Sequence, residues 1–332
     1  MNSPGLLQIT GHPRSGTTML EILLAQRFGG VALGEARFWF ERGILDDQLC
    51  ACGQPFWSCS FWSGVVADVY GSRRRAETAA RLVLDGNWLA MWSFPRARFQ
   101  PSAGGHYSYL RSMMSDLLGA VAERAGNRWI IDSSKDPVWF ELQAGIVERT
   151  VMLHIVRDPR AVAHSNQKAV ARPEIAGEKV LMPQFGLMRT MRDYTIWNVT
   201  SALTSRSSGH VLIQYEELCQ DVDAVLAPIA PLVERSGAET DVFPEYHSVS
   251  GNPLRFKLKS PADLVVTPAK DEWRTDLDGG TRRIAQALSA PTRAFVTTYS
   301  ALRRDRLTAP TRPSSSTAEG RAAVGNRSSD AA

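Results

Sequence analysis

Gly11-His12-Pro13-Arg14-Ser15-Gly16-Thr17-Thr18 is the stretch of this chain best suited to chemistry. A glycine turn of this kind points successive backbone N–H groups into a concavity that takes a phosphate. A helix beginning at Thr17 adds the positive end of its dipole. The spacing Gly11-x4-Gly16 matches a nucleoside-triphosphate loop as far as its second glycine. In such a loop the next residue is a lysine that reaches the terminal phosphate, followed by Ser or Thr for magnesium. Here Thr17 stands in the lysine position, and the positive charge comes earlier, at Arg14. The turn therefore suits a 5′-phosphate group but lacks the lysine of an ATP or GTP site. The plain alternative is a glycine turn ahead of a core helix.

Other candidate groups follow short apolar runs. Glu35 comes after Val31-Ala32-Leu33-Gly34, and Lys135 lies in Ser133-Ser134-Lys135-Asp136-Pro137, just past Arg128–Asp132. Arg157 ends the run Val151–Val156 and leads into Asp158-Pro159-Arg160, with Ser165 eight residues further on. Tyr215 closes His210–Gln214. By position alone Glu35 is a solvated loop carboxylate and Lys135 an exposed loop lysine. Arg157 is then a strand-ending arginine that bridges locally, and Tyr215 a buried tyrosine.

These groups need elements to position them. Leu6–Thr10, Val31–Leu33, Arg128–Asp132, Val151–Val156 and His210–Gln214 have the length and apolar character of buried strands. Thr17–Arg27 carries Met19, Leu20, Leu23 and Leu24 at helical spacing. Further helices are expected at Tyr107–Ala125, Met182–Ser205, Ala224–Arg235 and Arg282–Arg304. Two more begin near Pro137 and Pro159, the first capped by Asp136 or Ser134. The pattern predicts an α/β fold, a central parallel sheet flanked by helices. In such sheets ligands bind beyond the carboxyl ends of the strands.

Pro13-Arg14-Ser15-Gly16-Thr17-Thr18 resembles the 5′-phosphosulfate loop of the PAPS-dependent sulfotransferases, PAPS being 3′-phosphoadenosine 5′-phosphosulfate. Thr150–Lys168 resembles the 3′-phosphate element of that family: an apolar strand, an arginine, a Pro-Arg turn and a serine at the same separation. Gly34-Glu35 and Lys135-Asp136-Pro137 resemble the tyrosylprotein and carbohydrate-type members, and the likeness runs over residues 5–305. It implies a P-loop-like sheet and transfer of a sulfuryl group from PAPS to a hydroxyl or phenol of a small-molecule, carbohydrate or peptide acceptor. It makes Glu35 the general base, with His12 the fallback. Lys135 and Arg14 would offset charge on the bridging oxygen, and the backbone of Ser15, Gly16, Thr17 and Thr18 would hold the 5′-phosphate. Arg157 and Ser165 would grip the 3′-phosphate, and Tyr215 would lie near the nucleotide. Arg255, in Ser250-Gly251-Asn252-Pro253-Leu254-Arg255, would help with the 3′-phosphate. The reaction needs no metal. A competing ATP phosphotransferase would want a lysine at position 17. A non-catalytic nucleotide-binding member of the fold would have no use for Glu35 and Lys135.

The 332 residues suffice for one large domain, taken as 1–307 with an irregular insertion at about 46–105, and residues 308–332 read as a disordered tail poor in apolar groups. A 44% apolar and 22% charged composition is that of an ordinary globular protein. The net charge of +4 is mild, with basic residues gathered at Arg73–Arg75 and Arg303–Arg312, so no nucleic-acid partner is expected. No apolar run approaches the roughly 20 residues of a membrane span, and the first apolar residues lead straight into the phosphate turn, so a cytoplasmic protein is expected. Only six lysines stand against many arginines, which suggests a bacterial source.

Three of the four cysteines cluster as Cys50-x-Cys52-x6-Cys59 amid Phe56, Trp57, Phe61 and Trp62. The C-x-C step is tighter than usual zinc spacing and the sequence offers no obvious fourth ligand, so reduced thiols and no metal are expected. Similar Cys-x-Cys-Gly insertions occur in bacterial members of the family just named. Oligomeric state has no sequence signature here.

Overall fold

The computed structural model describes residues 5–85, 93–99, 105–126, 129–175, 180–204, 210–233, 246–258 and 260–308. Residues 309–332 of the expected tail and the Trp88–Trp92 part of the insertion lie outside them.

Gly5–Thr10 (β1) is buried along its whole length, as a strand covered on both faces must be. Val31–Ala32 (β2), Ile130–Lys135 (β3), Arg149–Val156 (β4) and His210–Gln214 (β5) complete a five-stranded sheet in the order β2-β3-β1-β4-β5. Every pairing is parallel. Period-two alternation divides the strands between two cores. Leu6, Ile130 and Met152 join one, with Trp39, Trp62 and Trp139. Leu7, Ile9, Ile131 and Leu153 join the other, with Leu20, Leu23 and Leu24 from the helix Thr17–Phe28 (α1).

β1 lies between β3 and β4, so the chain leaves it to one side and returns on the other. A crevice opens at such a switch point. Between Gln8↔Asp132 and Thr10↔Lys135 the β1–β3 register shifts, which keeps Lys135 at the edge and sets it opposite Thr10.

The helix over Ala224–Arg235 is not continuous: Val222–Leu226 and Ala230–Val233 form separate short helices, broken where Pro228 and Pro231 each lack a backbone donor. The helix expected from Met182 begins at Leu187 and runs to Thr204. Met182 instead pairs antiparallel with the segment after Pro159–Gln167, through an Ala171–Leu181 bridge and the Met182 N–H bonded to the Val170 carbonyl. Within the insertion Phe56, Phe61 and Trp62 are core residues. Among the described residues no helix is long and apolar enough to cross a membrane.

Candidate active site

The strand ends deliver their side chains to one cleft on the carboxyl edge of the sheet. It is lined by Arg14, Gly16, Thr17 and Thr18 after β1, Glu35 after β2, Lys135 from β3, Arg157 and Ser165 after β4, and Tyr215 after β5. Met182, Asn252 and Leu254 close its rim.

The turn after β1 is shaped by its two glycines. A Cβ on Gly11, at φ +132°, would stand 2.2 Å from the Ile155 carbonyl oxygen. One on Gly16, at φ +94°, would stand 2.4 Å from the Tyr215 ring. Gly16 thus admits an aromatic ring onto the loop, and the Arg157 guanidinium stands 4.3 Å from the centroid of that ring. Burial pushes the Tyr215 hydroxyl up to about 12, although the Arg157 charge works against it. Arg14 and Lys135 both hold left-handed backbone conformations, φ +73° and +66°, without being glycine. Such conformations persist where surrounding structure imposes them, and they gather at binding sites.

Arg14 and Arg157 converge. Arg14 Nε donates to Ser165 Oγ at 3.0 Å, its second nitrogen to the Ser165 carbonyl at 3.2 Å, and Arg157 donates to the Arg14 carbonyl at 3.0 Å. The Arg157 carbonyl is in turn fixed by the Tyr194 hydroxyl at 3.1 Å. Among the described residues neither guanidinium has a carboxylate within ion-pair distance. Arg157 Nε and Ser15 Oγ, both buried, have no hydrogen-bond partner among them. Burial, and then the Arg157 charge, lower the Arg14 pKa. Two like charges held together with unused donors are suited to an anion.

Glu35 is positioned by its backbone. Gly34 sits at φ +74° with its Cβ direction blocked 2.3 Å away by the Val249 carbonyl oxygen, and the Glu35 N–H donates to that same oxygen at 2.9 Å. The Gly34 N–H donates to Glu21 Oε1 at 2.5 Å and the Ser133 hydroxyl to Glu21 Oε2 at 2.9 Å. The Glu35 carboxylate accepts from Lys135 Nζ at 2.5 Å, and the same Nζ reaches the Ser133 carbonyl at 3.3 Å. Burial alone would raise the Glu35 carboxyl, but the charge and hydrogen bond of Lys135, then Arg42 and Arg37, outweigh it and hold it below the usual carboxylate range. Arg37 pairs with Asp136, whose carboxylate also caps the helix Pro137–Gln143 by accepting from the Val138 and Trp139 N–H groups.

Glu21 was not legible as a candidate. It lies on α1 among apolar neighbours, fully buried, and burial pushes its carboxyl up to about 8 against hydrogen bonds from Gly34 and Ser133. Arg42 is a second such residue, donating to Ser250 and covering the Phe38 ring.

Two expected residues are not brought into the cleft. Arg255 is wholly buried and donates to the carbonyls of Ser248 at 2.8 Å and Leu49 at 3.2 Å, so it braces loops where a phosphate contact is expected. Asn252 makes a turn, its side chain accepting from the Leu254 N–H at 3.0 Å, and the turn carries Arg255 inward. His12 is also buried, bonded through Nδ1 to the Pro13 carbonyl, and burial lowers its pKa to about 4. His154 is a core histidine, bonded to Asn198 at 3.0 Å, and His164 sits on its helix 2.9 Å from Asp276.

A sequence profile described as the sulfotransferase family matches residues 7–234. Three solved structures are similar. A sulfotransferase domain from a Synechococcus olefin synthase is 16% identical with a TM-score of 0.41, over 87% of this chain and 96% of that one. A sulfotransferase domain from the curacin biosynthetic pathway is 18% identical with a TM-score of 0.44, over 87% and 99%. A sulfotransferase from Mycobacterium avium is 14% identical with a TM-score of 0.47, over 90% and 77%. No curated protein matches the chain.

Proposed function

The chain belongs to the sulfotransferase family, and from that premise we propose that it moves a sulfuryl group from PAPS to a hydroxyl or phenol oxygen of a small-molecule, carbohydrate or peptide acceptor. The observation that carries this reading is the convergence of Arg14 and Arg157, free of carboxylates among the described residues, on the glycine turn. Two phosphate groups on one nucleotide would satisfy both charges. The unpartnered Arg157 Nε and Ser15 Oγ fit the same ligand. The turn from Arg14 to Thr18 would take the 5′ end, and Arg157 with Ser165 the 3′-phosphate. Arg14, bonded to Ser165, reaches between the two. An adjoining smaller cavity shares Arg157, Ser165 and Tyr215 and is walled by Lys168, Lys270 and Trp273, leaving room for the rest of the nucleoside.

Sulfuryl transfer, like phosphoryl transfer, depends on in-line positioning and on stabilising charge that appears on the leaving oxygen. Lys135 would supply that charge. In the resting cleft it is held by Glu35. As Lys135 turns toward the bridging oxygen, Glu35 loses the partner that lowers its basicity most and becomes the better acceptor for the proton of the incoming hydroxyl. The ion pair would thus hold both groups in place until the donor separates them.

The test is turnover. Protein, PAPS and an acceptor panel are incubated, and products carrying an added sulfate are sought by mass spectrometry, with release of 3′,5′-bisphosphoadenosine (PAP) read in parallel. Thermal stabilisation by ATP with magnesium but not by PAP would overturn the reading.

A further inference from the structure

Away from the cleft, the fold completes a ligand set that the sequence left open. His247 joins Cys50, Cys52 and Cys59, and the four ligand atoms all lie within 4.8 Å of one another. The Cys59 sulfur is 3.8 Å from the Cys50 sulfur, and His247 Nδ1 is 3.2 Å and 3.8 Å from the sulfurs of Cys59 and Cys50. Tetrahedral zinc, with Zn–S near 2.3 Å and Zn–N near 2.0–2.1 Å, requires S···S edges of about 3.8 Å and S···N edges of about 3.5 Å. The Cys50, Cys59 and His247 ligand atoms already stand near three corners of such a polyhedron, with the Cys52 sulfur within 4.8 Å of each.

We propose that Cys50, Cys52, Cys59 and His247 bind one structural zinc ion. The surroundings are built for it. Cys50, Cys59 and His247 are buried, while Cys52 is exposed on the side where a surface cavity gives an entry path. The Leu49–Pro55 bridge and the bond from the Cys50 N–H to the Gln54 carbonyl close a tight hairpin, with Gly53 at φ +83° at its tip. Phe61 stacks on the His247 ring at 4.9 Å and 5°, and Trp62 Nε1 donates to the His247 carbonyl at 2.7 Å, so the imidazole is held with Nδ1 toward the sulfurs. Four protein ligands leave no open position, which makes the site structural.

The ion would lock the hairpin to residues 246–250. That segment carries Val249, which bridges Gly34 and accepts the Glu35 N–H, and Ser248, whose carbonyl takes the Ala51 N–H. Zinc would therefore hold the insertion against the connection that sets the Glu35 backbone.

The test is the metal content of the wild-type protein, purified without added metal or chelator, by plasma mass spectrometry. One zinc per chain is expected, together with a fall in melting temperature on treatment with a strong zinc chelator and visible charge-transfer absorption when cobalt replaces zinc. Cys59→Ser should lose the metal, whereas His247→Cys, which restores four ligands, should keep it. Folded wild-type protein with near-zero zinc and no cobalt spectrum overturns the proposal. So does an intact mass two hydrogens light with Cys50 and Cys59 joined. These readouts do not use the sulfotransferase reaction, so they stand or fall apart from the donor reading.

Discussion

Lys135 Nζ and Glu35 Oε1 meet at 2.5 Å across the ends of two adjacent parallel strands, β3 and β2. Each residue would be costly to bury alone. Together they bring a carboxylate and an amine into one cleft.

Glu35→Gln should lower turnover by about 100- to 10,000-fold, the range for loss of a general base, while PAP affinity stays within a few-fold. Steady-state kinetics alongside calorimetric titration with PAP separates the two. Comparable losses in both would assign Glu35 to donor binding.

The acid limb of kcat/KM should lie below the ordinary carboxylate range, because Lys135 overcomes the burial that would raise Glu35. In Lys135→Ala the burial acts with less opposition, so the limb should move to higher pH. A pH–rate profile with a suitable acceptor reads this directly. An unmoved limb would place the titrating base elsewhere.

Arg157→Ala should weaken PAP by about 10- to 100-fold, as expected from losing charged hydrogen bonds worth ~1.5–3 kcal/mol. Adenosine 5′-phosphosulfate, which lacks the 3′-phosphate, should bind equally well to both proteins. Competition titrations with the two nucleotides decide it.

Glu21 gives stability a pH dependence of unusual sign for a carboxylate. Its folded pKa of about 8 lies above its ordinary 4.5, so between those values the folded state binds more protons than the unfolded state. Its contribution is present in full below pH 4.5 and is lost as the pH rises through about 8. Urea midpoints across that window should fall with pH more steeply in wild type than in Glu21→Gln, whose amide can still accept from Gly34 and donate to Ser133.

Gly34→Ala should cost well over the ~1–2 kcal/mol of a left-handed non-glycine residue, because its Cβ also meets the Val249 carbonyl. Gly145→Ala, at φ +75° with nothing within 4 Å, is the control and should show only that smaller loss. Chemical denaturation measures both, and a loss of turnover is expected for Gly34→Ala alone.

The strands and the glycine turn were legible because each is a local pattern whose spacing dictates its geometry. Glu35, Lys135, Arg157 and Tyr215 were legible as positions for the same reason: each follows an apolar run, and parallel strands bring such ends to one edge. Arg255 was not, because the direction of its side chain depends on the Leu49 and Ser248 carbonyls, which only the tertiary fold supplies. Glu21 was hidden among apolar helix residues, since periodicity cannot show what a buried carboxylate meets across the core. His247 lies 188 residues beyond Cys59, a separation that no spacing rule spans.

The walls of the cleft have two origins. Arg14, Glu35, Lys135, Arg157 and Tyr215 hang from the sheet, while Met182, Asn252 and Leu254 belong to connections whose length the sheet does not set. Swapping residues 170–181, short of Met182 whose sulfur accepts from Arg14 at 3.2 Å, is therefore a route to altered substrate preference that leaves the sheet-borne residues of the cleft in place. Directed evolution of this scaffold should begin there.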